Sequence, residues 1–259
     1  MVIQQCAFCG LGVVAQLPES TEEYYDDNYY IDGGNSGYED YSFMAEHGLG
    51  WAAALVKLLC SRGKILDIGC ADGYLLNKFD AGIEKFGIEV NAKAAKQAQE
   101  KGVKLLGNNL LDPQLVEGHR FEFDAITSIA VFEHLLDFRG GIQASIDMLK
   151  DDGFLLFEVP VMSPEGNNVA WMQSSFEHIY YPTEDSIRFI VETRLGCHLA
   201  GAEVPIKDYA STYVGIVTKT KQQAARVSAI FNRIMEADFT TPAVDQLRAS
   251  AHLHVLHAG

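Results

Sequence analysis

Two acidic residues and a turn of small residues are the parts of this sequence whose spacing first indicates chemistry. Asp67 ends a short apolar run and comes two residues before Gly69, which opens a turn that continues through Cys70 and Ala71 to Gly73. An apolar run, such a turn and a helical pattern are typical of a buried parallel strand that brings its backbone close to a nucleotide-like ligand. Glycine suits the turn because it adopts positive φ and leaves the ligand room.

The second acidic residue, Glu89, follows the apolar segment 86–88 and lies 20 residues after Gly69. At that distance an acidic side chain binds the two ribose hydroxyls of a nucleotide. The third glycine of a dinucleotide fingerprint, which helps to seat a pyrophosphate, is missing. Asp67 would repel a diphosphate, but it suits a ligand with an amino group and a sulfonium charge. The pair favours S-adenosylmethionine, and an NAD-dependent oxidoreductase is the weaker alternative.

The segment Lys64–Leu76, which reads KILDIGCADGYLL, resembles motif I of the class I S-adenosylmethionine-dependent methyltransferases. The usual form of that motif is close to LDIGCGTG, so Ala71 and Asp72 stand where Gly and Thr are commonest. The resemblance extends from about Cys6 to Lys219. It implies an α/β, Rossmann-like fold with a mostly parallel seven-stranded sheet and helices on both faces. It also implies S-adenosyl-L-methionine as methyl donor and S-adenosyl-L-homocysteine as product.

The resemblance implies further contacts to the cofactor. Asn108 follows a third short strand and occupies the place of an acidic residue that bonds the adenine amino group in this family. Its amide oxygen still accepts a hydrogen bond from that amine, although a polar turn without a ligand is the alternative. The other residues expected at the cofactor are Val90, Asn109, Leu110, Ser128 and Ala130.

Two Glu-His pairs supply the candidate catalytic residues. The first contains His134 and resembles a block beside the transferred methyl group. The second contains His178 and Tyr180, in FEHIYYPTEDS, and resembles a block of methyltransferases from sugar, polysaccharide and natural-product pathways. An imidazole or a nearby phenol can remove a proton from a hydroxyl, or from a carbon next to a carbonyl. We therefore predict O- or C-methylation of such a small molecule; the alternative is that these side chains only hold their loops in place.

The remaining pattern predicts three regions. Residues 1–42 form an extension, residues 43–220 the cofactor-binding domain, and residues 221–259 a helix and tail. Within the domain we expect one amphipathic helix over Phe43–Cys60 and a strand from Phe154 that Pro160 stops. We also expect a helix that Thr183 caps, with Ser186 in its first turn. The resemblance implies that the strand starting at Tyr213 is an antiparallel insertion.

The extension carries two features whose function the sequence leaves open. Cys6 and Cys9 resemble half of a four-cysteine zinc knuckle, and structural zinc needs four ligands. We expect no metal there unless a second pair of ligands is supplied, for example across a homodimer. Residues 20–41 are rich in tyrosine and glycine. They predict either a lid over the cofactor and substrate or a surface segment that packs its aromatic rings on the domain.

Composition excludes several partners. The 259 residues include 35 acidic and 20 basic ones, a formal net charge of −15, which disfavours a phosphate backbone, so we expect no nucleic acid as substrate. No window of about 18 apolar residues and no signal peptide are found, and the five cysteines are scattered, so we expect no membrane contact and a cytoplasmic location. A catalytically silent module that binds the cofactor or a partner remains an alternative to an enzyme.

Overall fold

A computed structural model describes residues 2–21, 24–25, 29, 41–162, 177–206 and 210–236. Its strands, in chain order, are β1 (Ile3–Gln5), β2 (Gly12–Val14), β3 (Gly63–Ile68), β4 (Ile83–Ile88), β5 (Lys104–Gly107), β6 (Phe123–Ile129), β7 (Leu149–Val161), β8 (Tyr180–Tyr181), β9 (His198–Ile206) and β10 (Ala210–Thr218). Its α-helices are α1 (Tyr41–Gly48), α2 (Gly50–Leu59), α3 (Tyr74–Asn77), α4 (Ala92–Glu100), α5 (Pro113–Gly118), α6 (Phe138–Met148), α7 (Glu184–Arg188) and α8 (Lys221–Glu236).

Seven of the strands form the central sheet, in the order β5-β4-β3-β6-β7-β10-β9. The first five run parallel, and β10 lies antiparallel between β7 and β9. Both the mostly parallel seven-stranded fold and the antiparallel insertion at Tyr213 are confirmed. None of the helices in the described part of the chain is both long and apolar enough to span a membrane.

The sheet is covered on both faces, which explains why its strands are continuous apolar runs. Successive residues of a strand point to opposite faces, so Ile65 belongs to one apolar cluster and Leu66 to the other. Residues of α6, such as Ile142, cover the face of Leu66. Residues of α2 and α3, such as Trp51 and Leu76, cover the face of Ile65.

Two predicted element boundaries were wrong. Pro160 does not stop β7, which continues to Val161. The last residue of β7 paired with β6 is Glu158, so Pro160 has a neighbouring strand on one side only, where the missing N–H is tolerated. The predicted helix Phe43–Cys60 is two helices, because Gly48 and Gly50 surround Leu49 and weaken helix formation there.

The N-terminal extension contributes two strands to a second, three-stranded sheet. Strands β1 and β2 make an antiparallel hairpin, and β2 pairs with β8, so that Gly12 lies opposite Tyr181. Cys6 and Cys9 lie in the hairpin turn, which closes with a bond from the Gly10 N–H to the Cys6 carbonyl, at 2.9 Å. Among the described residues, no third histidine, cysteine or carboxylate joins them in a ligand cluster. Most of the tyrosine-rich segment and the tail after residue 236 lie outside the described residues.

The predicted cap at Thr183 is confirmed. The Thr183 hydroxyl accepts a hydrogen bond from the N–H of Ser186, at 3.1 Å, and the Ser186 hydroxyl accepts one from the N–H of Thr183, at 2.9 Å. This reciprocal capping box begins α7, which continues as a π-helical turn over Phe189–Arg194. The cap fixes where the chain turns after the second Glu-His pair.

We therefore expect Thr183→Ala to lower the free energy of unfolding by about 1 kcal/mol, because one N–H at the start of α7 loses its acceptor. Chemical denaturation followed by circular dichroism measures this difference. Thr183→Ser is the matched control, since it keeps the hydroxyl and should retain most of the stability. Equal losses in the two variants would contradict the capping role.

Candidate active site

A cavity of about 340 Å³ opens at the carboxyl edge of the central sheet. Residues at the ends of β3, β4, β6 and β7 form its floor, which is where open α/β sheets bind their ligands. The start of the chain and the helices α1 and α2 form its other walls. Those walls are largely aromatic, with Tyr25, Tyr29, Tyr41 and Trp51 facing the cavity.

The glycine turn after β3 adopts the left-handed backbone that the sequence predicted. Gly69 and Gly73 have φ values of 71° and 79°, and Ala71 between them has φ 46°. A Cβ on Gly69 would lie 2.5 Å from the Val131 side chain, so both conformation and space require glycine there. Ala71 holds an unfavourable conformation for a residue with a side chain, and a specific hydrogen bond stabilises it.

The acceptor of that hydrogen bond is the Glu89 carboxylate. One carboxylate oxygen accepts the Ala71 N–H and the other accepts the Asn91 N–H, both at 2.8 Å. The Asn91 side chain in turn caps α4 by accepting from the Ala94 N–H at 2.8 Å. Glu89 is 3% exposed and lines the cavity. A carboxylate has lone pairs for four hydrogen bonds, so these two contacts are compatible with binding hydroxyl groups of a ligand as well.

Asp67 lies on the neighbouring strand and also lines the cavity. Its carboxylate accepts a hydrogen bond from the Thr127 hydroxyl at 2.6 Å. The pKa of Asp67 is raised to about 7. Burial is the main cause, the nearby charge of Glu89 adds to it, and the Thr127 hydrogen bond acts in the opposite direction. Sequence analysis missed Thr127, since a threonine in a strand gives no signal of which acidic residue it will reach.

The structure brings most of the predicted cofactor residues together on the cavity wall. Those that line it are Asp67, Gly69, Ala71, Glu89, Val90, Asn108, Asn109, Leu110 and Ala130. Cys70, Gly73 and Ser128 are buried behind this wall and do not line it. A Cβ on Gly73 would lie 2.9 Å from the Val103 side chain and 3.4 Å from Ala98 of α4, and Cys70 packs against Gly87.

The two Glu-His pairs meet at one end of the cavity and form what we call the Glu-His cluster: Glu133, His134, Glu177 and His178. The rings of His134 and His178 pack edge to face with centroids 4.5 Å apart. The Glu133 carboxylate lies 3.6 Å from Nε2 of His134 and 4.0 Å from Nε2 of His178. Only His134 of the four lines the cavity. Tyr180 does not line it either, and its hydroxyl donates to the Leu136 carbonyl at 3.1 Å.

Burial dominates the electrostatics of this cluster. It raises the pKa of Glu133 well above the usual range, and the charges of Glu158 and Glu177 add to that effect. It raises the pKa of Glu177 to about 7 and lowers that of His134 to about 4. Sequence analysis treated the two glutamates only as neighbours of the histidines; the structure places them inside the cluster.

Two further polar residues on the wall were missed from the sequence. Glu158 on β7 and Thr212 on β10 both face the cavity, and the Thr212 hydroxyl donates to the Glu158 carboxylate. They lie in separate strands 54 residues apart, and no motif joins them. The only available signal was that Glu158 lies within residues 154–161 of β7, which are otherwise apolar.

Three described tyrosines of the N-terminal segment lie at the cavity. Tyr25, Tyr29 and Tyr41 all line the cavity. The Tyr25 carbonyl accepts a hydrogen bond from the Asn91 side chain at 3.2 Å, and its ring lies edge to face with Tyr29 at 4.9 Å. Tyr30 and Tyr38 lie outside the described residues.

The donor and acceptor groups of the wall suit a cationic nucleoside. Asp67 and Glu89 place two carboxylates beside a turn with positive φ, and a pyrophosphate would meet repulsion from both. A sulfonium and an ammonium group would be attracted to them, and ribose hydroxyls can donate to them. The residues present therefore fit S-adenosylmethionine.

Comparisons with known proteins agree with this fit. Residues 44–197, more than half of the chain, match the family described as Methyltransferase domain. A ubiquinone biosynthesis O-methyltransferase of Pseudomonas fluorescens strain SBW25 is 26% identical over 171 residues, which cover 63% of this chain and 74% of the relative. The corresponding enzyme of Pseudomonas putida strain W619 is 27% identical over 163 residues, covering 60% and 70%.

Solved structures share the fold at low sequence identity. A chain from the complex between the Haloferax volcanii Trm112 methyltransferase activator and a putative methyltransferase aligns with a TM-score of 0.57 and 14% identity, covering 79% of this chain and 99% of that one. A putative methyltransferase from Bacillus halodurans gives 0.52 and 12%, covering 67% and 100%. The chain belongs to this methyltransferase domain family and is a class I S-adenosylmethionine-dependent methyltransferase.

Proposed function

We propose that this enzyme methylates a small molecule, a sugar, polysaccharide precursor or secondary metabolite, at oxygen or carbon. The observation that carries the proposal is the extent of the cavity, which continues from Asp67 and Glu89 past His134 to Glu158 and Thr212. The cavity therefore has lining residues both for the cofactor and for an acceptor on the other side of the methyl group. The O-methyltransferase names of the Pseudomonas relatives support oxygen as the atom that is methylated.

The half of the cavity over β3, β4 and β5 is assigned to the cofactor. Asp67 faces its amino group and sulfonium, Glu89 its ribose hydroxyls, and Asn108 with Leu110 its adenine. The turn at Gly69 lets the backbone approach it closely. When bound, S-adenosylmethionine supplies a methyl carbon that its positive sulfur activates. The chain's own residues hold this carbon in line with the acceptor and exclude water.

The half over β6, β7 and β10 is assigned to the acceptor. Adjacent strands are about 4.8 Å apart, so the strand that carries Thr212 lies roughly 14 Å from the strand that carries Asp67. Glu158 and Thr212 are polar wall residues of this half, and His134 stands at its border with the cofactor half. We assign loss of the acceptor's proton to the Glu-His cluster. His134 touches the acceptor. His178 and Tyr180 hold His134 in position from behind the cavity wall.

Calorimetry with S-adenosylmethionine, S-adenosylhomocysteine and NAD tests the cofactor half, and we expect binding of the first two only. A panel of phenols, sugars and polyketide-like ketones, assayed for formation of S-adenosylhomocysteine, tests the acceptor half. Turnover of at least one small acceptor is expected. Cofactor binding without turnover of any acceptor would favour the silent module instead.

Glu89→Ala is expected to weaken the binding of S-adenosylhomocysteine by about 1–3 kcal/mol, since ribose hydroxyls would be left without their acceptor. Isothermal titration calorimetry measures the change. Glu84→Ala is the control on the same strand, because Glu84 is exposed and pairs with Lys104 away from the cavity. An affinity that Glu89→Ala leaves unchanged means that the ribose lies elsewhere.

The affinity for S-adenosylmethionine is expected to rise as pH increases through about 7. The raised pKa of Asp67 leaves the free protein partly protonated at that position near neutral pH, and the cationic ligand attracts the deprotonated form. Dissociation constants measured between pH 6 and pH 8 should therefore fall. In Asp67→Asn the affinity should be lower, and this pH dependence should disappear; an unchanged slope would exclude Asp67 as its source.

A further inference from the structure

The Glu-His cluster contains a buried carboxylate that the mechanism leaves without a partner of its own. Glu133 is fully buried, and neither of its carboxylate oxygens accepts a hydrogen bond from any described residue. Burying a carboxylate in this way is costly unless it is neutralised, paired or bound to a cation. The imidazole nitrogens beside it are the Nε2 atoms of His134 and His178, at 3.6 and 4.0 Å, slightly too far for hydrogen bonds.

The orientation of His134 makes its Nε2 available as a metal ligand. Its Nδ1 lies 3.3 Å from the carbonyl of Glu177, where it donates its proton. That bond leaves the lone pair of the neutral imidazole on Nε2, on the side of Glu133. A backbone carbonyl that fixes the tautomer in this way is the usual outer contact of a histidine bound to a metal ion.

We propose that Glu133, His134 and His178 bind a divalent transition-metal ion such as Zn²⁺ at the border of the acceptor half. One ligand atom from each of the three residues lies within 4.8 Å of the others. In a tetrahedral site with bonds of about 2.1 Å, ligand atoms are about 3.4 Å apart. The Glu133 carboxylate, at 3.6 and 4.0 Å from the two Nε2 atoms, must therefore approach them by roughly 0.2 and 0.6 Å, and no pair of ligand atoms, all within 4.8 Å, must close by more than about 1.4 Å. Two imidazoles and one carboxylate favour Zn²⁺, Fe²⁺ or Co²⁺ over Mg²⁺, which prefers oxygen ligands.

The backbone around the cluster already holds the ligands on two connected segments. His134 follows β6 and His178 precedes β8, and the Ile179 N–H donates to the Glu133 carbonyl at 2.9 Å. A metal ion would join these segments at a further point, besides this bond and the one from His134 to the Glu177 carbonyl. Because His134 lines the cavity, an acceptor oxygen could complete the coordination. With Nε2 of His134 bound to the ion, the ion and not the imidazole would then favour loss of that oxygen's proton, which passes to solvent. That role rests on the proposed function; metal binding itself does not.

The test measures metal binding directly in the full-length chain with Cys6→Ser and Cys9→Ser, which removes the thiols of the hairpin. After treatment with a chelator, one equivalent of Co²⁺ should bind and give the visible absorption of a four- or five-coordinate site. Zn²⁺ should displace it, and Mg²⁺ should bind at least 100-fold more weakly than Zn²⁺. No visible absorption with Co²⁺ and no calorimetric binding of Zn²⁺ would overturn the proposal.

Glu133→Gln keeps the size of the side chain, and it should lower the affinity for Zn²⁺ at least tenfold, as should His178→Asn. His119→Asn is the matched control, because His119 pairs with Glu122 and takes no part in the cluster; its affinity should not change. If His178→Asn does not fold, the Zn²⁺ affinity of Glu133→Gln and the Co²⁺ absorption spectrum decide whether the cluster binds metal. Unchanged Zn²⁺ affinity in Glu133→Gln would overturn the site.

S-adenosylhomocysteine binding, measured on the same samples, separates the two proposals. Cofactor binding and turnover without metal binding would refute only the metal site. Metal binding without cofactor binding would leave the site standing and count against the assigned cofactor half.

Discussion

The active site depends on one buried carboxylate at the tip of β4. Glu89 accepts the N–H of Ala71 with one oxygen and that of Asn91 with the other. The first bond holds the turn after β3 in a conformation that an alanine otherwise disfavours, and the second fixes the start of α4. Since Glu89 also lines the cavity, the same side chain positions the wall and faces the cavity.

The parallel sheet is what allows this arrangement. Both of its faces are covered by helices, so its strands are mainly apolar. At the carboxyl edge, Asp67, Glu89, Glu158 and the Glu-His cluster follow one another across the strand ends. Their burial shifts several pKa values away from the usual range, which is common where side chains take part in binding and catalysis.

The N-terminal extension is tied to the part of the site that the second Glu-His pair forms. Strand β2 pairs with β8, which begins two residues after His178. Farther along the extension, the Tyr25 carbonyl accepts a hydrogen bond from the Asn91 side chain. The extension is therefore joined to the rest of the chain at two places, β8 and Asn91.

The sequence by itself determined the parallel sheet, the left-handed turn at Gly69, the cap at Thr183 and most of the cavity wall at the ends of β3, β4 and β5. These features are local: an apolar run, a glycine or a capping residue acts on its neighbours within a few positions. Only the tertiary structure decided that Thr127 reaches Asp67, that Glu158 meets Thr212, that Pro160 lies where β7 has one neighbour, and that Glu133, His134 and His178 converge. Each of these depends on which strands and loops become adjacent, and on how much water their packing excludes, and spacing along the chain does not encode either directly.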